Sequence, residues 1–288
     1  MPNRRAFLGG AALAGAARPA IAQSSVRVTR AFVDTPAGQI HIRRAGKTTS
    51  AVPVVCFHQS PQSSLVYADV LLHLGERGLA IACDTPGFGE SFRPTVQPTI
   101  ANYAEWLAEV PAALGLSRVD IVGMFTGSAI AVELCRTKPE LVRRAVLIGP
   151  ALFDEDQRKQ MLATAWPEMP AEDGGFLNRE WKRVFDRYPK SMPFAQRFAA
   201  FNEYYRGGLN ARFGEVAVNS YDMNSALSGV RQPVLVIDPD GTFGRGRAAA
   251  DRLADATYLK AEGRAGLGLL QTEHAWVAET IAAFFDQS

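Results

Sequence analysis

The feature that most constrains this chain is a change of hydrophobic period repeated along its first half. Val52 to Phe57, Leu79 to Cys83, Val119 to Met124 and Ala145 to Ile148 are short apolar runs, broken by a charge only at Asp120. Between them, Leu65 to Leu74, Ile100 to Leu114 and Ser128 to Arg136 repeat apolar residues at helical spacing. A strand is apolar throughout only when both of its faces are covered, so the alternation predicts an α/β fold: a mostly parallel central sheet with helices on both faces. Ahead of it, Ser25 to Arg30 and Gln39 to Arg43 read as two strands joined by Thr35-Pro36-Ala37-Gly38, an antiparallel opening hairpin. From Pro150 to about Arg231 the alternation stops. Trp166, Trp181, Phe185, Phe194, Phe198, Phe201, Tyr204 and Tyr205 recur there at spacings closer to helix than to strand, which predicts a helical insertion over about 151–231. Strand patterning resumes at Val234 to Ile237 and Thr257 to Leu259, and a last helix is expected from Ala275 to Phe285.

With 288 residues, 47% of them hydrophobic and 21% charged, the chain can bury one sizeable core. A formal net charge of +2 and the lack of a basic block with interleaved aromatics exclude a nucleic-acid partner from the expectation. Arg4-Arg5-Ala6-Phe7-Leu8, the small-residue run Gly9 to Ala17 and Ala20-Ile21-Ala22 together read as a twin-arginine export signal over residues 1–22. The mature domain is then 23–288, periplasmic or secreted. The apolar run falls short of the ~20 residues that cross a bilayer, so no membrane span is expected. Cys56, Cys83 and Cys135 lack metal-ligand spacing, and the first two sit in strand-like runs as small buried hydrophobes. No metal or cofactor is expected.

Four segments, in order, carry a resemblance to the α/β-hydrolase superfamily over nearly all of the mature sequence. Val54 to Pro61, containing His58-Gln59-Ser60-Pro61, resembles the strand-to-loop segment that supplies one oxyanion donor. Asp84-Thr85-Pro86-Gly87-Phe88-Gly89-Glu90-Ser91 matches the turn after the next strand. Val119 to Ser128, with Gly123-Met124-Phe125-Thr126-Gly127, lies where the family places its nucleophile elbow. Pro233 to Asp240 resembles the strand whose end supplies the triad acid. The resemblance implies the α/β-hydrolase fold with a helical cap.

It also implies where catalytic groups belong, and here the sequence departs from the family. The elbow pattern G-x-S-x-G keeps Gly123 and Gly127 but has Phe125 in the middle, a side chain with no lone pair to attack a carbonyl. Counted back from Phe284 at the family's spacing, the triad histidine falls on Leu267, after Gly266. His274, seven residues later, is the substitute candidate, with a surface or capping role as its plainer reading. Asp240 is the closer match to the triad acid; Asp238 is its neighbour, and Arg245 or Arg247 are possible partners for the carboxylate. His58 is a candidate proton-transfer group, although in the family that position is structural. Gln59, Ser60 and Thr126 are expected to form a polar socket for a carbonyl oxygen.

Three functions stay open on this reading. One is an atypical, non-serine enzyme performing proton transfer, elimination or cyclisation on a small hydrophobic, carbonyl-containing or aromatic molecule. Another is a small-molecule binding protein. The third is an ester, amide or C–C bond hydrolase with displaced catalytic residues.

Overall fold

The computed structural model describes residues 26–164, 169–242 and 245–287; the expected export signal and Trp166 lie outside them. The strands are β1 Thr29–Thr35, β2 Gly38–Ala45, β3 Val54–Phe57, β4 Ala80–Cys83, β5 Val119–Met124, β6 Val142–Ile148, β7 Val234–Asp240 and β8 Ala256–Ala265. They form one eight-stranded sheet in the order β1-β2-β4-β3-β5-β6-β7-β8. β1 pairs antiparallel with β2, and β2 antiparallel with β4; from β4 onward every pairing is parallel. The opening hairpin is paired from Thr29, later than the expected strand start at Ser25, which lies outside the described residues, and it turns at Thr35 to Gly38.

The strand period sorts side chains onto two cores. Val55, Phe57, Ile121, Leu147 and Val236 point to the face covered by α2 Ile100–Ala113, α3 Thr126–Thr137 and α9 Gly246–Ala250. Their neighbours Val54, Cys56, Val122, Met124, Val146 and Ile237 point to the face covered by α1 Ala68–Arg77, α10 Leu269–Thr272 and α11 His274–Phe285. Burial on both faces is why these strands are apolar without alternation and why Cys56 of β3 and Cys83 of β4 are buried free thiols; Cys135 is a buried free thiol on α3. Across the bottom of the sheet, Arg143 donates two hydrogen bonds to buried Asp120, at 2.8 and 2.6 Å.

Between β6 and β7 the described residues form five α-helices: α4 Glu155–Ala163, α5 Gly175–Arg187, α6 Phe194–Arg206, α7 Phe213–Ser220 and α8 Met223–Leu227. This layer has its own small core of Val184, Tyr188, Met192, Ala200 and Tyr204, with Leu267 packed against it. Most of its aromatic residues pack on one another: Trp181 stacks on Phe185 at 4.1 Å and meets Phe198 and Phe201 edge-on. Among the described residues no helix is long and apolar enough to cross a membrane.

Candidate active site

The turn between β5 and α3 is built around two glycines. A Cβ on Gly123 would lie 2.2 Å from the Gly127 carbonyl oxygen, and one on Gly127 would lie 2.1 Å from that of Phe57. Only glycine lets helix α3 start so close to the sheet. The residue between strand and helix takes the strain: Phe125 has φ 47° and ψ −108°, the one positive φ among the described non-glycine residues. Such a conformation costs on the order of 1–3 kcal/mol. It is held by the Phe125 N–H donating to Ile148 O at 3.0 Å and the Ser128 N–H donating to Phe125 O at 2.9 Å. The nucleophile-elbow backbone is therefore present, and it presents a phenyl ring.

The ring lies over two further glycines. A Cβ on Gly149, itself at φ +56°, would meet Phe125 Cε1 at 2.8 Å, and one on Gly266 would come within 3.5 Å of Phe125 Cζ. Phe125 forms, with Gln59, Ser60, Thr126, Thr242 and Leu267, the floor of a cavity of about 440 Å³. The cap helices form its roof: Met161, Arg187, Tyr204, Glu215, Val218 and Asn219. The volume is in the range of small-molecule sites, and the lining mixes polar groups with the apolar side chains of Phe125, Phe153, Met161, Val218 and Leu267.

The three residues expected to form a polar socket, Gln59, Ser60 and Thr126, line the same cavity. The Ser60 N–H makes only a long contact to Thr126 Oγ1, 3.4 Å, and the Thr126 N–H is one of the first donors of α3, which have no partner inside the helix. Ser60 is fixed from above by the cap: a Cβ on Gly214 would come 1.7 Å from Ser60 Oγ, so only glycine lets α7 settle on this loop. Two nearby amides are buried with unpaired oxygens, Gln59 Oε1 and Asn219 Oδ1, their residues 4% and 3% exposed. Each calls for a hydrogen-bond donor from something in the cavity.

The three expected proton-transfer residues are placed elsewhere. His58 is buried with both ring nitrogens engaged: the Thr85 N–H donates to Nε2 at 2.9 Å, so Nδ1 carries the proton and donates to Gln59 O at 2.9 Å. Burial holds its pKa below the ordinary histidine value, against the charge of Asp84 and the bond to Gln59. It locks the loop rather than facing the cavity. His274 starts α11 on the outer surface, its Nδ1 3.0 Å from His73 Nε2 of α1. Asp240 turns its carboxylate away from the cavity to Lys260 Nζ at 2.9 Å and the Gly263 N–H at 2.7 Å. Lys260, and then Gly263, hold that carboxyl below the usual range, and neither Arg245 nor Arg247 is its partner. Asp238 is buried and accepts from Tyr258 Oη at 3.0 Å. From this strand end, the side chain that reaches the cavity is Thr242, so close to Gly266 that a Cβ there would meet Thr242 Cγ2 at 2.2 Å. Phe125, Thr242 and Leu267 thus stand together.

The group that sequence reasoning missed is Glu215. It is the sole charged residue of α7, FGEVAVNS, and that isolation in an apolar run is the signal that would have singled it out. Burial raises its carboxyl to about 7, with Arg187 pulling the other way. Among the described residues, no hydrogen bond or salt bridge engages that carboxyl.

The fold and this arrangement of elbow, socket and cap place the chain in the alpha/beta hydrolase fold family, whose profile matches residues 52–250. The chain belongs to that family. Among curated relatives it is 29% identical over 139 residues to a proline iminopeptidase of Heyndrickxia coagulans, 46% of this chain and 48% of that protein. It is 30% identical over 155 residues to a haloalkane dehalogenase of Agrobacterium fabrum, 52% and 50% of the two chains. In these two pairings the matched segment spans about half the relative's length. An uncharacterized carboxylesterase of Bacillus subtilis is 27% identical over 276 residues, 91% of this chain and 88% of that one. The fold is shared with an esterase from Exiguobacterium antarcticum, TM-score 0.75 at 17% identity over 90% of this chain and 100% of that one. It is also shared with an enol-lactonase from Burkholderia xenovorans, TM-score 0.73 at 17% identity over 89% and 100%.

Proposed function

We propose that this chain takes a small carbonyl-bearing molecule with an apolar or aromatic body into the cavity and acts on it without a serine acyl-enzyme. Proton transfer, elimination or cyclisation is the reaction class. The observation that carries this reading is the strained elbow at Phe125. Strain of that kind persists where the surroundings over-determine it, and this turn brings Thr126, at the start of α3, to the cavity beside Ser60, so that their N–H groups are the candidate oxyanion donors. The activities of the relatives are not carried over, because Phe125 offers no atom to attack a substrate.

A fluorophosphonate probe tests this directly, since it needs an activated serine. The expected outcome is no label on any residue from Gly123 to Ser128, together with saturable binding of aryl ketones followed by intrinsic fluorescence. Stoichiometric labelling at the elbow would return the chain to the serine hydrolases. Saturable binding with no turnover in a screen of enolisable ketones would favour a binding protein. Export is proposed on the paired arginines: the periplasmic protein should begin at Gln23 on N-terminal sequencing, and a start at Met1 or Pro2 would remove the export reading.

A further inference from the structure

We propose that Glu215 is the proton-transfer residue of the cavity and that its substrate is a hydroxylated, enolisable cyclic or aryl ketone. The inference rests on the preceding reading that the cavity binds a carbonyl compound. Among the described residues, Glu215 is the one carboxyl in the cavity lining. Gly214, the residue before it, lies against Ser60, so this end of α7 is held close to the Ser60 loop, and Glu215 lines the same cavity as Ser60 and Thr126. The unpaired amide oxygens of Gln59 and Asn219 ask the ligand for O–H or N–H donors, the Ser60 and Thr126 amides ask for a carbonyl oxygen, and Phe125, Phe153, Met161 and Leu267 ask for an apolar body.

The step needs no co-reactant. The Glu215 carboxylate removes a proton from the carbon next to the carbonyl: that C–H bond breaks and an O–H bond forms on Glu215. The electron pair moves into a new C=C bond, and the carbonyl oxygen becomes an enolate oxygen held by the Ser60 and Thr126 N–H groups. The protonated Glu215 then returns the proton to the same carbon or, where the enolate is conjugated, to its far end, which completes an isomerisation. Arg187 on α5, Tyr204 on α6 and Arg212 at the start of α7 are the titratable groups around the carboxyl; α4 contributes Met161. A carboxyl raised to about 7 by burial is the matched base for this work near neutral pH, where both its forms are populated.

The test uses 2-tetralone and 6-hydroxy-2-tetralone in deuterated buffer with the full-length mature protein. Deuterium uptake at the α-carbons is followed by NMR, and binding by quenching of intrinsic fluorescence. The wild type is expected to bind both, the hydroxylated one more tightly, and to exchange α-protons at least about tenfold faster than buffer alone. The rate should rise through about pH 7 as the carboxyl ionises. Glu215→Gln should keep binding within about twofold and lose the acceleration, while Glu215→Asp should retain part of it. Binding with no acceleration, or acceleration that survives Glu215→Gln, overturns the role of Glu215 and leaves the binding reading standing. Failure of both ketones to bind overturns the two together.

Discussion

The floor and the roof of the cavity have parted company. On the floor, the steric requirements of a nucleophile elbow are met: two glycines at the strand-to-helix turn and a strained residue between them, with Ser60 and Thr126 lining the cavity beside it. The side chains that would use that frame are Phe125, Thr242 and Leu267, none of which ionises. On the roof, the helices are irregular and partly exposed, yet they bring Glu215, Arg187, Tyr204 and Asn219 to the cavity. The difference teaches that frame and chemistry are separable. The frame depends on backbone packed against a buried sheet, where each added methyl group collides with main chain. The chemistry depends on single side chains, which can be exchanged without disturbing that packing.

The largest expected effect comes from forcing the chemistry back onto the floor. Phe125→Ser, Thr242→Asp and Leu267→His are each expected to leave hydrolysis of small aryl esters at background. Alone, each supplies a nucleophile without a base, an acid without an imidazole, or a base without a nucleophile. The triple variant should exceed the sum of the singles by about a hundredfold or more, since members of such a unit act together. If the Phe125→Ser, Leu267→His double variant is already as fast as the triple, Thr242 does not stand at the acid position. If wild type hydrolyses these esters at the triple variant's rate, the three residues are not the triad positions at all.

How much of this was legible beforehand follows from what each signal depends on. The parallel sheet is legible because burial on both faces writes itself into Val54 to Phe57, Ile121 to Met124 and Val234 to Ile237 as runs without a charged residue. The elbow was readable because Gly123 and Gly127 answer to steric demands that nothing else satisfies. The acid was misplaced because Asp240 is still part of β7, and the strand's pairing with β8 shifts register between Pro239 and Asp240. That edge hands the carboxylate to Lys260 and leaves Thr242, beyond the strand, to reach the cavity. Glu215 was passed over because the insertion was judged by its aromatic residues, and most of those pack on one another. Which single polar residue of a cap helix meets a loop more than a hundred residues earlier is a tertiary fact without a local period.

A smaller effect sharpens what the floor's strain is worth. Gly149→Ala adds a methyl group 2.8 Å from Phe125 Cε1 at a φ of +56°, so it combines a clash with a backbone penalty. Urea unfolding is expected to show a loss of about 2–3 kcal/mol in the wild type, from the two terms together. In a Phe125→Ala background the clash is gone, and the same substitution should cost about 1–2 kcal/mol, the backbone term alone. A coupling of about 1 kcal/mol between the two positions is the signature of a ring seated on Gly149. Equal costs in both backgrounds would mean that Phe125 has room to swing away, and that the floor is less closed than its geometry indicates.

The smallest effect is expected at the residues that the sequence alone made most suspect. The Asp240 carboxylate is nearly half exposed and faces Lys260 and the Gly263 N–H on the outer edge of β8. A charge in water at that distance from the cavity is screened by solvent and salt, so Asp240→Asn changes little that a bound ligand can sense. His274 and His73 stack at 5.1 Å with one ring nitrogen facing another at 3.0 Å, a contact between α11 and α1 on the outer surface. His274→Ala returns His73 to solvent and touches nothing that lines the cavity. Both variants should therefore match the wild type within about twofold in ketone affinity and in deuterium exchange, with Glu215→Gln as the contrasting control. A tenfold loss in Asp240→Asn, measured beside unchanged thermal stability, would place a second carboxylate within reach of the ligand and return proton transfer to the floor.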